Sequence, residues 1–422
     1  MGVVSTDEVF FREWSGRGPG EGRSVRRARQ LAAALDVLSP RAPVLTVVGS
    51  KGKGTTATYA SAVLSAAGLR VCTVTSPGYR SNRDRIRIDG EAVTEAELRS
   101  LGERLGQAMD ALPADRPDGY LSPSGLFILA GVLHARRVRA DVLVLEAGMG
   151  GRSDEVSLFP PDVVAIAPIF GEHLGVLGGS VTEIAEEKAA VVAPGTRAVL
   201  SARQPGPVAD VLATTVRGIA GIGIEHPPQA PAEPPALPRT ATGPPTGPLP
   251  DGLSRTGAEL GAAAARRLLD LAGRPAPAPE RLRAVLASVR LPGRLSWHTV
   301  PGTETELLAD SAIDREGISA ALSAALSRWG ALDHVLICLP DHKDLDGAIT
   351  ALRGLPVTYV RLPHDHLRFT RPLPAGWRVL DSGALTAESV GGLGRRVAAF
   401  GTVYFIGLVL DLVDAGTERL YE

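Results

Sequence analysis

One stretch restricts the fold of this chain more than any other. In VLTVVGSKGKGTTATYASAVLSAAG, residues 44–68, an apolar run enters a glycine-rich turn and then a helix-forming segment. A strand that turns tightly into a helix presents backbone N–H groups and a helix N-terminus to an anion. The spacing Gly49-x-x-Gly52-Lys53-Gly54-Thr55 is a shortened variant of the P-loop pattern. It predicts a nucleotide site, with Lys53 neutralising the β- and γ-phosphates and Thr55 offering its hydroxyl to Mg²⁺.

Strand-like apolar runs alternate with amphipathic segments along the rest of the chain, which predicts an α/β fold with a mainly parallel sheet. We expect strands near residues 44–49, 71–76, 141–147 and 163–168, and in the second half near 305–310, 334–339, 357–361, 378–381 and 402–407. Residues 226–252 are rich in proline and predict a long loop. We therefore predict an ATP-binding domain over 1–295 and a smaller Rossmann-like α/β domain over 296–422.

Composition narrows the class of protein. The chain has 422 residues and a net charge of −1, so it lacks the basic excess usual for a nucleic-acid partner. Its apolar runs are too short to cross a bilayer, and the first residues lack the order of a secretory signal. Cys72 and Cys338 lie in strand-like runs and are expected in the core. We expect a cytoplasmic protein, monomeric or a small homo-oligomer, without nucleic-acid or membrane partners.

Lysine is rare in this chain. Only 4 of its 45 basic residues are lysines, at positions 51, 53, 188 and 343. Arginine replaces lysine readily at a solvated surface, but it cannot supply a compact ammonium or a reactive amine. The four lysines are therefore candidates for a chemical role.

Several further motifs, in order, resemble the folylpolyglutamate synthase and dihydrofolate synthase family of the Mur ligase superfamily. The phosphate loop resembles the family's G-T-N-G-K-G-S, and TSPGYRSNRDRIRIDG, from Thr75, resembles its TSPH…ERIRING segment. LVLEAGMGGRSD, residues 143–154, and IFGEHLGVLGGSVTEIAEEKAAVVAPG, from Ile169, match further motifs. LPGRL at 291–295, Asp310 and HKD at 342–344 have weaker counterparts.

This resemblance implies a Mur-ligase-like fold and an enzyme that uses ATP to join a small carboxylate to an amine, such as the amino acid glutamate. The reaction runs through an acyl phosphate and releases ADP and phosphate. The resemblance also implies two magnesium ions and a carbamylated Lys188. The catalytic residues would be Lys53, Glu146, His173 and Lys188. The metal would be held by Thr55, Ser76, Glu146, His173 and Lys188. ATP would be bound by Gly49, Ser50, Lys51, Gly52, Lys53, Gly54, Thr55, Thr56, Arg294 and Asp310. Asp154 would contact the substrate, and Lys343 receives no firm role.

The chain also departs from the family pattern. Gly78 replaces a histidine, the segment RTGAE at 255–259 lacks the family's His-Gln-x-x-Asn side chains, and DGAHNP reads DSAIDR, so that Ile313 and Asp314 stand for histidine and asparagine. We interpret these changes as a ligase that has moved to another carboxylate or amine, with a non-folate or specialised-metabolite substrate. The alternatives are a housekeeping folylpolyglutamate or dihydrofolate synthase, a non-catalytic nucleotide-binding paralogue, and a simple kinase or NTPase.

Overall fold

Two α/β units make up the chain. The computed structural model describes residues 6–227, 249–250, 253–364 and 367–422, so most of the predicted proline-rich loop lies outside the described residues. One unit is formed within Met1–Ala230, Gly247–Val289 and Glu418–Glu422, and the other includes Arg290–Thr417. The predicted domain division after residue 295 differs from this one, because the second unit begins at Arg290 and the last residues return to the first.

The first unit contains an eight-stranded sheet in the order β4-β3-β2-β5-β1-β6-β7-β8. Its strands are β1 (Val44–Val48), β2 (Val71–Val74), β3 (Ile86–Ile88), β4 (Glu91–Ala92), β5 (Val142–Glu146), β6 (Val163–Ile166), β7 (Ala198–Ser201) and β8 (Ile224–Glu225). Its helices are α1 (Thr6–Ser15), α2 (Val25–Ala34), α3 (Lys53–Ala66), α4 (Glu95–Asp110), α5 (Pro123–Val138), α6 (Val181–Ala189), α7 (Gly206–Ala220), α8 (Leu253–Leu271) and α9 (Pro279–Ser288).

The centre of this sheet is parallel and fully buried. Strand β1 pairs in parallel with β5 on one side and β6 on the other, and every residue of the three strands is buried. Continuous apolar runs are typical of strands covered by helices on both faces. Only β3 pairs antiparallel, with β2 and with β4, among the described strands of this sheet. The carboxyl ends of β1, β2, β5 and β6 therefore meet at one edge.

Helix α8 packs closely against α3 because two glycines face it. A Cβ atom at Gly257 would lie 3.1 Å from the Gly52 carbonyl oxygen, and one at Gly261 would lie 2.2 Å from the Thr56 carbonyl oxygen. These positions are four residues apart and so share one face of the helix. In this chain the segment 255–259 thus brings backbone, rather than long polar side chains, against the helix that follows the phosphate loop.

The second unit contains a six-stranded sheet in the order β13-β12-β11-β14-β10-β9. Its strands are β9 (Ser296–Thr299), β10 (Glu306–Asp310), β11 (His334–Cys338), β12 (Val357–Arg361), β13 (Arg378–Asp381) and β14 (Arg396–Gly401). Its helices are α10 (Arg315–Trp329), α11 (Leu345–Ala351), α12 (Ala387–Gly391) and α13 (Val403–Leu412). All described pairings are parallel except that of β9 with β10.

The predicted strand near 402–407 is wrong. Strand β14 ends at Gly401, Thr402 caps the next segment by accepting the Phe405 N–H, and the apolar run forms helix α13. A continuous apolar run has no period that separates a buried strand from a buried helix. The other predicted strands correspond to β1, β2, β5 and β6 and to β10–β13.

Two predictions from composition can be compared with the structure. Cys72 and Cys338 are both buried free thiols, as expected. Among the residues that the structure describes, no helix combines the length and apolar character needed to span a membrane.

Candidate active site

The phosphate loop lies at the carboxyl edge of the first sheet, between β1 and the N-terminus of α3. Gly49 has φ of 140°, and a Cβ atom there would lie 2.7 Å from the Ala167 Cβ, so the backbone admits only glycine. Gly52 has φ of 84° and occupies the N-cap of α3. The Ser50 N–H donates to the Pro168 carbonyl at 2.9 Å, which fastens the loop to the segment after β6.

Two lysines converge on one carbonyl oxygen of this loop. The Lys53 and Lys188 ammonium groups donate to the Gly49 carbonyl at 3.0 Å and 2.8 Å, respectively. Lys188 is only 1% exposed. Burial, and next the positive charge of Lys53, lower the pKa of Lys188 to about 8, against the raising influence of Glu172. This concentration of positive charge at a helix N-terminus is suited to the phosphates of a nucleotide.

Glu146 places a carboxylate on the other side of the loop. It is the last residue of β5, is 5% exposed, and accepts the Ser76 N–H on Oε2 at 3.1 Å. The same oxygen would lie 3.6 Å from a Cβ atom on Gly54, so it faces the first turn of α3. Because adjacent parallel strands end at one edge, β5 and β2 bring Glu146 and Ser76 together, and their part in holding magnesium stays a prediction.

Glu172 is a site residue that the sequence analysis missed. Its Oε1 accepts the Lys188 ammonium at 3.2 Å, and its Oε2 lies 4.0 Å from the His173 Nε2. It therefore lies between the predicted His173 and Lys188. Its position beside His173 in the motif GEH was the only signal available, because the contact with Lys188 depends on the packing of α6.

Arg85 is a second residue that was missed. Its Nη1 donates to the Ser76 hydroxyl at 3.2 Å, its Nε donates to Asn82 at 2.8 Å, and its guanidinium lies 4.6 Å from the Phe127 ring centroid. The side chain is buried. Arg85 thus holds the loop after β2 against the edge of the sheet where Glu146 ends.

The loop after β2 has no room for a side chain at position 78. A Cβ atom on Gly78 would lie 2.2 Å from the Ser81 carbonyl oxygen, far inside van der Waals contact. The Asp84 carboxylate closes this loop by accepting the Arg80 N–H at 2.9 Å and the Ser81 N–H at 3.2 Å. The backbone of this loop therefore leaves no space at position 78 for the histidine of the resembled motif.

The remaining predicted residues of the first unit lie around this edge. Thr55 and Thr56 are buried in the first turn of α3, and Thr56 donates its hydroxyl to the Gly52 carbonyl at 3.0 Å. Lys51 is half-buried in the loop. Asp154 is fully buried and caps a short 3₁₀ turn by accepting the Val156 N–H at 3.1 Å.

Arg294 and Asp310 lie together within the second unit. The Asp310 carboxylate accepts the Leu295 N–H at 2.7 Å, and the Arg294 guanidinium lies 3.5 Å from the Ser311 carbonyl oxygen. Asp310 ends β10 and therefore holds the turn that contains Arg294. Their predicted contact with the nucleotide remains a prediction.

The oxygen donors at the carboxyl edge of the first sheet suit a magnesium ion that is held partly by phosphate and water, rather than a metal held entirely by protein ligands. Among the described residues, no three His, Cys, Asp or Glu side chains are grouped to hold a metal. Mg²⁺ ordinarily takes one or two carboxylates and completes its shell with phosphate oxygens and water. The buried Glu146 carboxylate and the hydroxyls of Thr55 and Ser76 are oxygen donors of that kind. Lys188 as an ammonium is a cation and fits only after a modification that makes it an anion.

Comparison with known proteins gives both sequence and structural relatives. No protein-family model matches the chain. The dihydrofolate synthase/folylpolyglutamate synthase of Bacillus subtilis is 31% identical over 190 residues, which span 44% of this chain and 43% of that protein. The matched region is thus less than half the length of either protein.

Solved structures resemble nearly the whole chain. The Escherichia coli FolC complex with DHPP and ADP has a TM-score of 0.74 and 20% identity, covering 98% of each chain. The Mycobacterium tuberculosis folylpolyglutamate synthase complexed with ADP and AMPPCP has a TM-score of 0.73 and 22% identity, covering 93% of this chain and 96% of that one. These similarities confirm the predicted fold class. The chain therefore has the Mur-ligase-like α/β architecture of these synthases, and over less than half of its length it is also similar to them in sequence.

Proposed function

We propose that this protein is an ATP-dependent ligase that joins a folate- or pteroate-type carboxylate to the amino group of glutamate. One observation carries the proposal. Lys53 and Lys188 converge on the Gly49 carbonyl, and the buried Glu146 carboxylate faces the first turn of α3, the helix that begins at Lys53. A scaffold that only binds nucleotide has no need for a fully buried lysine or a buried carboxylate, because both are costly to desolvate.

The chain's own groups would act on charge and position. Lys53 and the N-terminus of α3 would hold the phosphates, and Thr55, Ser76, Glu146 and His173 would hold magnesium. Magnesium, when bound, would neutralise the phosphate oxygens as the acid takes the γ-phosphoryl group. The amine would then attack the acyl carbon of the acyl phosphate, so that the amide C–N bond forms, phosphate leaves and the nitrogen loses a proton. Arg294 and Asp310 would complete the nucleotide site, and Asp154 would contact the acid.

Lys188 is proposed to act as a carbamate. The neutral amine would add to CO₂ and lose one proton, which turns a buried cation into an anion beside Lys53. Two observations support this: Lys188 is almost completely buried, and the pKa of its amine is lowered to about 8. The intact mass of the protein prepared with and without bicarbonate would reveal the added CO₂.

The folate-type substrate rests on the relatives. The Bacillus subtilis relative is named for dihydrofolate and folylpolyglutamate synthesis, and the E. coli neighbour holds DHPP and ADP. No comparison favours the non-folate acid that the sequence analysis preferred. That reading remains as a second candidate because a Cβ atom at Gly78 would collide with the Ser81 carbonyl, so the loop beside Ser76 and Glu146 has a different side-chain content from the resembled motif.

The test is ADP release with acid and amine supplied separately and together. We expect ADP only when glutamate and either dihydropteroate or tetrahydrofolate are both present, with a matching mass for the amide. Product from a different acid, and none from these two, would move the function to the second candidate. ATP turnover that ignores the acid would indicate an NTPase, and failure to bind Mg·ATP would indicate a non-catalytic paralogue.

Variants of the lysines add a control. Lys188→Arg retains a positive charge but cannot form a carbamate, so we expect it to abolish the acid-dependent ADP release while nucleotide binding persists. Lys343→Arg is the matched control, since Lys343 is half-buried in the second unit and has no assigned role. Equal activity of the Lys188 variant and the wild type would contradict the assignment.

A further inference from the structure

Two buried carboxyl groups share one arginine behind the glycine-rich turn formed by residues 148–154. Asp154 and Glu155 are both fully buried. The Arg23 Nη1 lies 3.2 Å from the Asp154 Oδ2 and 3.9 Å from the Glu155 Oε2. Arg23 therefore makes a hydrogen-bonded ion pair with Asp154 but not with Glu155. None of the proposed catalytic steps uses Glu155 or Arg23.

Arg23 and Asp154 together hold the turn. The Arg23 Nη2 donates to the Met149 carbonyl and, at 3.3 Å, to the Ser153 hydroxyl. The Asp154 carboxylate accepts the Met149 N–H at 2.8 Å. The beginning and the end of the turn are thus fastened to the same ion pair. Because the turn starts two residues after Glu146, its position affects the chain that leaves the proposed catalytic edge.

One carboxyl oxygen of Glu155 accepts a hydrogen bond, and the other has no hydrogen-bond partner among the described residues. Its Oε1 accepts the Ser122 hydroxyl at 2.6 Å, and its Oε2 is buried with no hydrogen-bond partner among the described residues. A Cβ atom on Gly125 would lie 2.3 Å from the Glu155 Cδ, so the carboxyl group packs directly on the first turn of α5. A side chain at position 125 would therefore collide with this carboxyl group.

The charges around Glu155 favour one bound proton on the carboxyl pair. Within the cluster there are two carboxyl groups and one guanidinium, and an isolated buried negative charge is expensive. The N-cap of α5 offers the uncharged Ser122 here, and Arg27, the buried arginine of α2, is paired with Glu13 at 2.8 Å. Burial first, and then the Asp154 charge, raise the pKa of Glu155 to about 7, although Arg23 and Ser122 act in the opposite direction.

We propose that Glu155 is a positioning residue whose proton decides whether Arg23 stays on the 148–154 turn. When Glu155 is protonated, Arg23 keeps its hydrogen bonds to Asp154, Met149 and Ser153. Without it, the Glu155 carboxylate attracts Arg23 across the present 3.9 Å and weakens its hold on the turn. The turn thereby has two arrangements selected by one proton. Its effect on acid binding rests on the proposed function, because Asp154 is the predicted substrate contact.

The sign of the effect on stability follows from the direction of the shift. The pKa of Glu155 is raised in the folded protein from 4.5 to about 7, so the folded state holds this proton where the unfolded chain has lost it. The contribution to folding is therefore complete below the lower value and is lost as the pH rises through about 7. A neutral glutamine at position 155 removes this dependence.

The experiment compares the wild type with Glu155→Gln at pH 6 and pH 8. Hydrogen exchange of the peptide covering residues 147–156, corrected for intrinsic rates, is expected to increase with pH in the wild type and to stay constant in Glu155→Gln. Glu187→Gln is the matched control, because Glu187 accepts the Ser153 N–H at 2.7 Å from α6 and so touches the same turn. It should retain the pH response of the wild type.

Activity gives a separate readout. The KM for the acid is expected to rise about fivefold from pH 6 to pH 8 in the wild type and not in Glu155→Gln, a size typical of coupling between two sites. A protein without ligase activity would refute the proposed function, while the exchange measurement would still decide the role of Glu155.

The overturning results are specific. An unchanged pH response in Glu155→Gln, or no response in the wild type, would refute the proposal. If Glu155→Gln does not fold, Ser122→Ala replaces it, since that variant keeps the acid and removes the hydroxyl that stabilises its charged form. We then expect the midpoint of the exchange response to move to higher pH, and an unmoved midpoint would refute the proposal.

Discussion

The two units of this protein differ in whether they bury ionisable side chains. In the first unit, Glu146, Asp154, Glu155 and Lys188 are all buried. In the described part of the second unit, no Asp, Glu, Lys or Arg side chain is buried. Similar sheets thus support different uses of ionisable residues. Because burial of a charge opposes folding, its concentration in the first unit agrees with the proposal that the reaction takes place there.

In the second unit, several carboxylates instead accept hydrogen bonds from backbone N–H groups. Asp314 accepts the Gly317 N–H at 2.7 Å at the start of α10, and Asp344 accepts the Gly347 N–H at 2.9 Å at the start of α11. Asp333 accepts the Arg395 N–H at 2.8 Å. Such side chains stabilise helix ends and turns. The comparison therefore predicts large losses of activity in the first unit and modest losses of stability in the second.

The largest effect is expected from Glu146→Gln. It keeps the shape of the side chain but removes the buried negative charge that faces the first turn of α3. We expect ligase kcat/KM to fall by about a hundredfold to a thousandfold, which is typical for loss of one preorganised electrostatic contact. Initial rates of ADP release measure this, with nucleotide affinity as the control. A loss below threefold would remove Glu146 from the catalytic group.

A smaller effect is expected from Gly78→Ala. The added Cβ would lie 2.2 Å from the Ser81 carbonyl oxygen, so the loop must move. Crowding of this kind costs about 1–3 kcal/mol, and the displaced loop carries Arg85 away from Ser76. Chemical denaturation measures the free energy of unfolding, and the KM for the acid reports on the site. Gly223→Ala, at a position with no heavy atom within 4 Å of the new Cβ and no positive φ, separates crowding from the general cost of replacing glycine.

The smallest effect is expected from Asp314→Ala in the second unit. Loss of the N-cap hydrogen bond to the Gly317 N–H should cost about 1 kcal/mol. Asp314→Asn preserves an oxygen acceptor and should cost only a few tenths of that, about 0.3 kcal/mol. Thermal unfolding distinguishes them. If Asp314→Ala instead abolishes ADP release without loss of stability, the contrast between the units fails and position 314 belongs to the nucleotide site.

The sequence predicted those parts of the site that depend on local pattern. The loop from Gly49 to Thr55 follows from strand, glycine and helix signals within a few residues, and Glu146 was identifiable as a carboxylate ending a buried strand. The rest depends on packing between distant segments. Lys188 meets Gly49 across 139 residues, and Arg23 meets Asp154 across 131. No periodicity in the sequence reports that Glu155 lies under the first turn of α5.

The path of the chain between the units has a practical consequence. The Tyr421 hydroxyl lies 3.1 Å from the Ser65 hydroxyl, the Ala92 N–H donates to the Glu418 carbonyl at 2.7 Å, and the Glu422 N–H donates to Ser288 at 2.8 Å. The C-terminal residues therefore complete the first unit, and the second unit is an insertion within it. A fragment that ends at Val289 would expose the surface that Tyr421 covers. Deletion of Arg290–Thr417, with Glu418–Glu422 joined after Val289, would keep that surface covered when the first unit is isolated.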